Sequence, residues 1–157
     1  MNRVGIGIDV HRFAAGPKLI IGGVHIPHEF GLEGHSDADV LAHAIADALL
    51  GAAALGDIGK FYPDTDMKYK DINSMIILRD VAAKYWQLHA RVINIDAAII
   101  AQVPKLSPHI PSMQEIIAAN LGINPEQVGI KATTSELMGF TGRNEGIVAI
   151  AIASVEL

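Results

Sequence analysis

Hydrophobic positions along the chain change period several times, and each change marks an element. Arg3 to Val10 is short and rich in Val and Ile, the composition of a strand. Lys18 to Ile26 holds two β-rich runs around Gly22-Gly23, a pair suited to a two-residue hairpin turn that needs positive φ. From Ser36 to about Leu55 the period becomes helical. Val40, Leu41, Ala44, Ile45, Ala48 and Leu49 form an apolar stripe, while Asp39, His43 and Asp47 recur every four residues on another face. Ser36 stands in capping-box spacing to Asp39 and is expected to open this helix, with Gly56 as its stop.

Gly56 to Asp71 has no periodicity and reads as a long loop, the kind that in compact domains carries function or moves. Ile72 to His89 reads as a second amphipathic helix, with Ile76, Ile77, Val81 and Tyr85 on its inner face. Val92 to Val103 follows as a strand, Pro108 to Leu121 as a helix ended by Gly122, and Val128 to Ala132 and Ile147 to Val155 as two more strands. With no linker or internal repeat, the pattern predicts one α+β domain over residues 1–157.

Composition narrows the function classes. Hydrophobic residues make up 50% and charged residues 18% of the 157, which excludes disorder. The formal net charge of −5 argues against a fold-wide grip on a nucleic-acid backbone. No uncharged apolar run approaches the roughly 20 residues of a membrane helix, and the N-terminal apolar run is too short for a signal peptide, so a cytoplasmic location is expected. There are no cysteines, which excludes disulfides and thiolate chemistry and leaves seven His and the carboxylates to hold any metal.

Three clusters carry candidate chemistry. Asp9 and His11 point to one side of a strand, which reads either as a solvated strand end or as two metal ligands. His43, flanked by Asp39 and Asp47, reads either as part of a surface charge stripe or as a third ligand whose ring those acids orient. Three protein ligands would leave a tetrahedral metal with an open position, as in catalytic zinc sites. His35-Ser36, at the expected helix start, would be an anion seat or ordinary capping. Lys131 to Glu136 with Gly139 to Arg143 is either a plain polar turn or a phosphate and divalent-ion site, with Lys105 as a further cation. Asp64 and Asp66 would sit in a lid or merely be solvated. The residues by themselves point to a metal-assisted enzyme acting on a phosphorylated small molecule.

These segments also resemble, in order and over nearly the whole chain, the 2-C-methyl-D-erythritol 2,4-cyclodiphosphate synthase family of the non-mevalonate isoprenoid pathway. The matching blocks are Gly7-Ile-Asp-Val-His-Arg-Phe13, Ile21-Gly-Gly-Val24, His35-Ser-Asp-Ala-Asp-Val40, Asp47 to Lys60, Pro63-Asp-Thr-Asp66, Ile99-Ile-Ala-Gln102, Pro104-Lys105, Lys131-Ala-Thr-Thr134 and Gly139-Phe-Thr-Gly-Arg143. The resemblance implies a lyase that converts 4-diphosphocytidyl-2-C-methyl-D-erythritol 2-phosphate to the cyclic diphosphate and releases CMP. It implies a mixed four- to five-stranded sheet packed by helices on one face, in a homotrimer whose sheets face a central channel and whose active sites are shared between subunits.

By the same resemblance Asp9, His11 and His43 would hold a zinc-like ion, and Glu136 a second divalent ion, Mg²⁺ or Mn²⁺, together with the substrate diphosphate. His35 and Thr134 match the positions that stabilise the transition state, with Ser36 beside them. Asp57, Ile58 and Gly59 would contact the methylerythritol hydroxyls, and Phe61, Tyr62, Pro63, Asp64 and Thr65 would close over them. Ala101, Gln102, Val103, Pro104, Lys105, Leu106 and Ser107 would form the cytosine pocket. Ala132, Thr133 and Ser135 would face the nucleotide. Arg143 would face the α-phosphate or a central cavity, and with Phe140 it would lie by the central channel, where an isoprenoid diphosphate is expected. Ala38 replaces the family's usual Gly, and since alanine is the better helix former the change is expected to matter little. The competing readings are a non-catalytic trimeric nucleotide-binding module and a metal-dependent phosphohydrolase.

Overall fold

The computed structural model describes residues 1–157. In chain order the elements are β1 (Asn2–Ala15), β2 (Leu19–Ile21), β3 (Val24–Ile26), β4 (Phe30–Leu32), α1 (Val40–Ala52), α2 (Ile58–Phe61), α3 (Ser74–Gln87), β5 (Arg91–Ile100), α4 (Ile110–Leu121), β6 (Val128–Thr133), α5 (Gly139–Gly142) and β7 (Gly146–Glu156). A five-stranded sheet runs β4-β1-β7-β5-β6; only the β5–β6 pair is parallel. β2 and β3 form a separate hairpin turned by Gly22 at φ 60° and Gly23 at φ 75°, as the Gly-Gly pair predicts. No helix is long and apolar enough to cross a membrane.

The helix α1 lies on the inner face of β1 and β7, and it is buried almost all round. The contact with β1 depends on missing side chains. A Cβ on Gly5 would meet the Ala48 carbonyl oxygen at 2.0 Å, and one on Gly7 the Ala44 carbonyl oxygen at 2.0 Å. Glycine on the strand and alanine on the helix let the two backbones approach far closer than packed Leu or Ile would allow. Inward residues of β7 (Ile147, Ala149, Ala151, Ala153, Val155) and β5 (Ile95, Ala97, Ile99) complete a single core with α3 and α4.

The outer face of the sheet is apolar and exposed. Val4 is 68% accessible, Ile6 62%, Ile8 57% and Val10 50%. In register beside them on β7 stand Ser154, Ile152, Ile150 and Val148, so that strand is apolar or small on both faces, as expected.

Several expectations need correction. The first long helix starts at Val40, not Ser36, and its N-cap is Asp39, which accepts the Ala42 N–H. Helical periodicity could not separate a capping Ser from a bent lead-in, because Ser36 bonds the Ala38 N–H without starting a helix. Ala38 is therefore outside the helix, at φ 55°, and the helix-propensity argument does not apply to it. Left-handed backbone costs an alanine about 1 kcal/mol or more. Burial of its methyl returns most of that, at about 0.8 kcal/mol per buried carbon for a residue only 1% exposed.

Ile76 is 44% exposed, and the inner face of α3 is instead Ser74, Met75, Ile77, Leu78, Val81, Ala82 and Tyr85. Gly56 to Asp71 is not a plain loop, since Asp57 caps the short α2. β1 runs on to Ala15 and pairs through Phe13 to Ala15 with β4, a strand too short to show a period.

Candidate active site and metal centre

The close seat of α1 on β1 brings His43 to Asp9 and His11. His43 Nδ1 lies 3.0 Å from Asp9 Oδ2, His11 Nε2 lies 3.0 Å from the same oxygen, and the two ring nitrogens are 3.4 Å apart. Each offers one ligand atom to a common point. A tetrahedral ion with bonds of about 2.0–2.1 Å holds its ligands roughly 3.3 Å apart, so the spacing fits.

The hydrogen bonds behind the rings agree with a cation. His11 Nδ1 is 2.7 Å from the Glu33 carbonyl oxygen, an acceptor, so Nδ1 carries the proton and Nε2 presents its lone pair. His43 Nε2 faces the hydroxyls of Ser74 at 2.9 Å and Ser36 at 3.1 Å, leaving Nδ1 toward Asp9. With the His43 proton on Nε2 as well, two imidazole lone pairs and a carboxylate oxygen converge on one point, an arrangement suited to a cation between them. When that charge is a proton, the group titrates accordingly. Burial pushes the His11 imidazole down, but the hydrogen bond and charge of Asp9 outweigh it and its pKa is raised. Burial pushes Asp9 up, yet the bonds and charges of His11 and His43 hold it well below the usual carboxylate range.

The expected helpers of His43 are elsewhere. Asp39 is wholly buried and takes the N–H groups of Gly22 (2.8 Å), Gly23 (2.7 Å) and Ala42 (3.0 Å), tying the hairpin to the helix start. Desolvation raises its pKa against those three bonds. With that carboxylate as its cap, the α1 N-terminus is not the anion seat expected beside Ser36. Asp47 accepts the Ile58 N–H at 2.8 Å and so anchors α2 rather than the ring. Burial is the chief cause of its raised pKa. Four-residue spacing placed these acids on the His43 face, but backbone amides reach them first.

Ser74 and Asp37 were missed. The signal was present, since Ser74 falls on the apolar stripe of Leu78, Val81 and Tyr85, where a buried hydroxyl requires a partner.

The triad is in the wall of a pocket of about 490 Å³, with Gly34, His35, Ser36, Ile58, Gly59, Tyr62, Pro63 and Asp64 also lining it. His35 Nε2 donates to the Asp66 carbonyl oxygen at 3.1 Å, which joins the 34–36 bend to the 62–66 segment. Tyr62 donates to Asp80 on α3, and burial first, then Asp80, pushes its phenol well up. Asp57 caps α2, its Oδ1 accepting the Lys60 N–H at 3.0 Å, and does not line the pocket. Phe61 lies under the Lys84 ammonium, 4.5 Å from the ring centroid, and neither it nor Thr65 lines the pocket.

A second pocket of about 460 Å³ gathers Ala101, Gln102, Val103, Pro104, Lys105, Leu106, Ser107, Ala132, Thr133 and Thr134. The peptide before Pro104 is cis. Gln102 Oε1 accepts the Leu137 N–H at 3.2 Å and holds the following loop, in which Glu136 Oε1 accepts from Thr134 Oγ1 at 2.8 Å. Ser135 is engaged within that loop, donating to the Met138 carbonyl oxygen at 2.7 Å. Phe140 lines a different cavity, with His11 and Arg12. Arg143 is paired with Glu145 at 2.6 Å.

The two pockets share no residue. Along one row of the sheet Val10 pairs with Val148, Val148 with Ile100, and Ile100 with Thr133. Three strand spacings put Thr133 about 14 Å from Val10. Within one chain the structure therefore brings His35 to the triad but leaves Thr134 and Glu136 apart from it.

A mixed sheet backed by helices, with a two-His, one-carboxylate group that could hold a metal in a pocket wall, defines the class as an α+β enzyme with a candidate metal site. Comparison with known proteins is more specific. The model of the YgbB family matches residues 2–156. The 2-C-methyl-D-erythritol 2,4-cyclodiphosphate synthases of Alkaliphilus metalliredigens and Syntrophomonas wolfei are 62% and 57% identical to this chain. Each alignment covers 98% of it, and 96% and 98% of the respective relative. Among solved structures, the bifunctional IspDF of Campylobacter jejuni superposes with a TM-score of 0.95 at 44% identity; the match covers 99% of this chain and 42% of that longer one. The CDP complex of IspF from Plasmodium falciparum superposes at 0.87 with 31% identity, covering 98% and 95% of the two chains. The chain belongs to the YgbB family, the 2-C-methyl-D-erythritol 2,4-cyclodiphosphate synthases.

Proposed function

We propose that the chain, acting as a homotrimer, converts 4-diphosphocytidyl-2-C-methyl-D-erythritol 2-phosphate to 2-C-methyl-D-erythritol 2,4-cyclodiphosphate and CMP. The observation that carries the reading is the convergence of Asp9, His11 and His43 on one point in a pocket wall, in a member of this family. In the reaction a 2-phosphate oxygen bonds to the β-phosphorus, the bond from that phosphorus to the oxygen bridging it to the α-phosphorus breaks, and CMP leaves with the electron pair. Attack within one molecule needs positioning and charge neutralisation more than proton transfer.

Asp9, His11 and His43 hold a zinc-like ion, which when bound supplies Lewis-acid polarisation of a phosphoryl oxygen and an anchor for it. Glu136 offers a carboxylate for a second divalent ion, Mg²⁺ or Mn²⁺, shared with the substrate diphosphate. Residues 101–107 and 132–134 seat the cytosine, Lys105 and Thr134 meet the phosphates, and Arg143 neutralises charge nearby. Ile58 and Gly59 orient the methylerythritol, while residues 61–65 exclude water above it. His35 and Ser36 stand at the reacting phosphates.

A trimer supplies what one chain lacks. The exposed Val4, Ile6, Ile8 and Val10 stripe is the kind of contiguous apolar surface that marks an interface. A neighbour's 101–107 and 132–136 segments would then complete the triad pocket across that interface. The same stripe would line a central channel able to take an isoprenoid diphosphate near Phe140 and Arg143. The enzyme works in the cytoplasm on this reading.

The test is ³¹P NMR of purified protein with the diphosphocytidyl substrate and Mg²⁺, beside a chelator-treated control. Two coupled diphosphate resonances with equimolar CMP are expected. Metal-dependent inorganic phosphate would instead make the protein a phosphohydrolase, and unchanged substrate a nucleotide-binding module.

A further inference from the structure

Ser74 occupies the first turn of α3 with no exposed surface, yet its hydroxyl is bonded on two sides. Ser74 Oγ donates to Asp37 Oδ1 at 2.5 Å, and Asp37 Oδ2 also takes the Ser74 N–H at 2.9 Å. The same Oγ is 2.9 Å from His43 Nε2. A serine hydroxyl has one proton, and a carboxylate oxygen can only accept. With that proton committed to Asp37, Ser74 must accept from His43, so the His43 proton is on Nε2 and the lone pair is on Nδ1. Nδ1 is the atom that faces Asp9 Oδ2 and His11 Nε2. Ser36 Oγ, 3.1 Å from Nε2, is a weaker second acceptor on the pocket side.

We infer that Asp37 and Ser74 are positioning residues of the metal centre: the chain Asp37–Ser74–His43 selects the ring tautomer and orientation that deliver Nδ1 to the ion. The inference rests on the metal role given to the triad above and extends it to two residues that contact neither ion nor substrate. Its physical basis is that a ligating imidazole is held by what its other nitrogen donates to, and a carboxylate behind that acceptor makes the acceptor more basic. A hydroxyl interposed between carboxylate and ring keeps the full negative charge one group away from the ligand. Asp37 gains rigidity from its own place in the bend, since its backbone N–H bonds the Ile72 carbonyl oxygen at 3.1 Å and its Oδ1 takes the Asp39 N–H at 3.3 Å. The relay thus ties the lead-in to α1 to the start of α3, and His43 lies between them.

The experiment titrates purified, metal-stripped protein with zinc alone against a chromophoric chelator, and follows the His43 ring N–H by NMR in the zinc-loaded form. The parent is expected to bind zinc and to show a slowly exchanging Nε2–H. Ser74→Ala is expected to lose roughly 10- to 100-fold in zinc affinity and to exchange that proton faster, with an unchanged far-ultraviolet circular dichroism spectrum. Asp37→Asn, which weakens the acceptor without deleting it, is expected to lose less on both readouts. Parent-like affinity and exchange in Ser74→Ala would overturn the assignment while leaving the triad standing. Should Ser74→Ala fail to fold, the same parent-like result in Asp37→Asn overturns it. A parent protein that takes up no zinc would overturn the metal reading and this assignment with it.

Discussion

A methyl group on Gly7 would sit 2.0 Å from the Ala44 carbonyl oxygen. One residue from Ala44 is His43, and two residues from Gly7 is Asp9, so this contact sets the spacing of the metal ligands. Gly7→Ala must push α1 off β1. We expect a loss of about 3 kcal/mol in urea unfolding, the upper end for overpacked cores, together with a zinc affinity lowered in proportion to the displacement of His43. A variant with parent stability and zinc binding would show that the two backbones are not in contact.

Asp39 secures the other end of α1. Asp39→Ala would remove the cap and leave the N–H groups of Gly22 and Gly23 without their acceptor. A cap contributes about 1 kcal/mol and each buried unpaired N–H costs about 1–3 kcal/mol. The expected loss is therefore about 3–7 kcal/mol, measured by thermal or urea unfolding. A loss below about 1 kcal/mol would mean that Asp39 is only a cap.

His43→Ala takes away one ligand from the middle of a well-packed helix whose other polar side chain is Asp47. Helix content by circular dichroism should stay that of the parent, and tightly bound metal, measured by elemental analysis, should fall to background. Retained stoichiometric metal would remove His43 from the ligand set.

The triad also fixes a pH dependence. His11 has its pKa raised above 6.5, so in the metal-free protein its pairing with Asp9 stabilises the fold fully below 6.5 and fades as pH rises through the higher folded value. Asp9, lowered from 3.8, contributes above 3.8 and loses that contribution as pH falls toward its folded value. Zinc must displace the proton that charged His11 carries on Nε2, so its affinity has the opposite trend and grows as pH rises past the His11 pKa. Thermal unfolding with and without zinc should show a metal-induced shift in Tm that widens from pH 6 to pH 8. A shift independent of pH would mean that no imidazole proton is displaced.

Much of this architecture was legible in the chain because its signals are local. Gly22-Gly23 between β-rich runs gave the hairpin and Gly122 ended α4 with φ 69°, while Asp9 and His11 on one side of a strand and His43 on a helix were only candidate ligands until the family resemblance singled them out; the structure brings the three together. What was not legible depended on distant backbone. Nothing in the sequence near Asp39 announces that its acceptor sites are claimed by Gly22 and Gly23, so its role looked like service to His43. Ala38 looked helical because its neighbours are, while the φ of 55° is imposed by the bend that leads Ser36 to the metal pocket. Ser74 was the readable miss, a hydroxyl on an apolar stripe.

On the proposed function, the Asp9–His11–His43 pocket of one subunit works with the Thr134–Glu136 segment of another. This pairing is tested by co-refolding His43→Ala with a Thr134→Ala, Glu136→Gln chain, each inactive alone, and assaying the cyclic diphosphate by ³¹P NMR. Random mixing of equal amounts into trimers leaves about one quarter of the shared sites with both halves intact, so about that fraction of parent activity is expected. Equal mixtures that stay as inactive as their components, in trimers verified to contain both chains, would show that the two halves of the site do not meet across subunits.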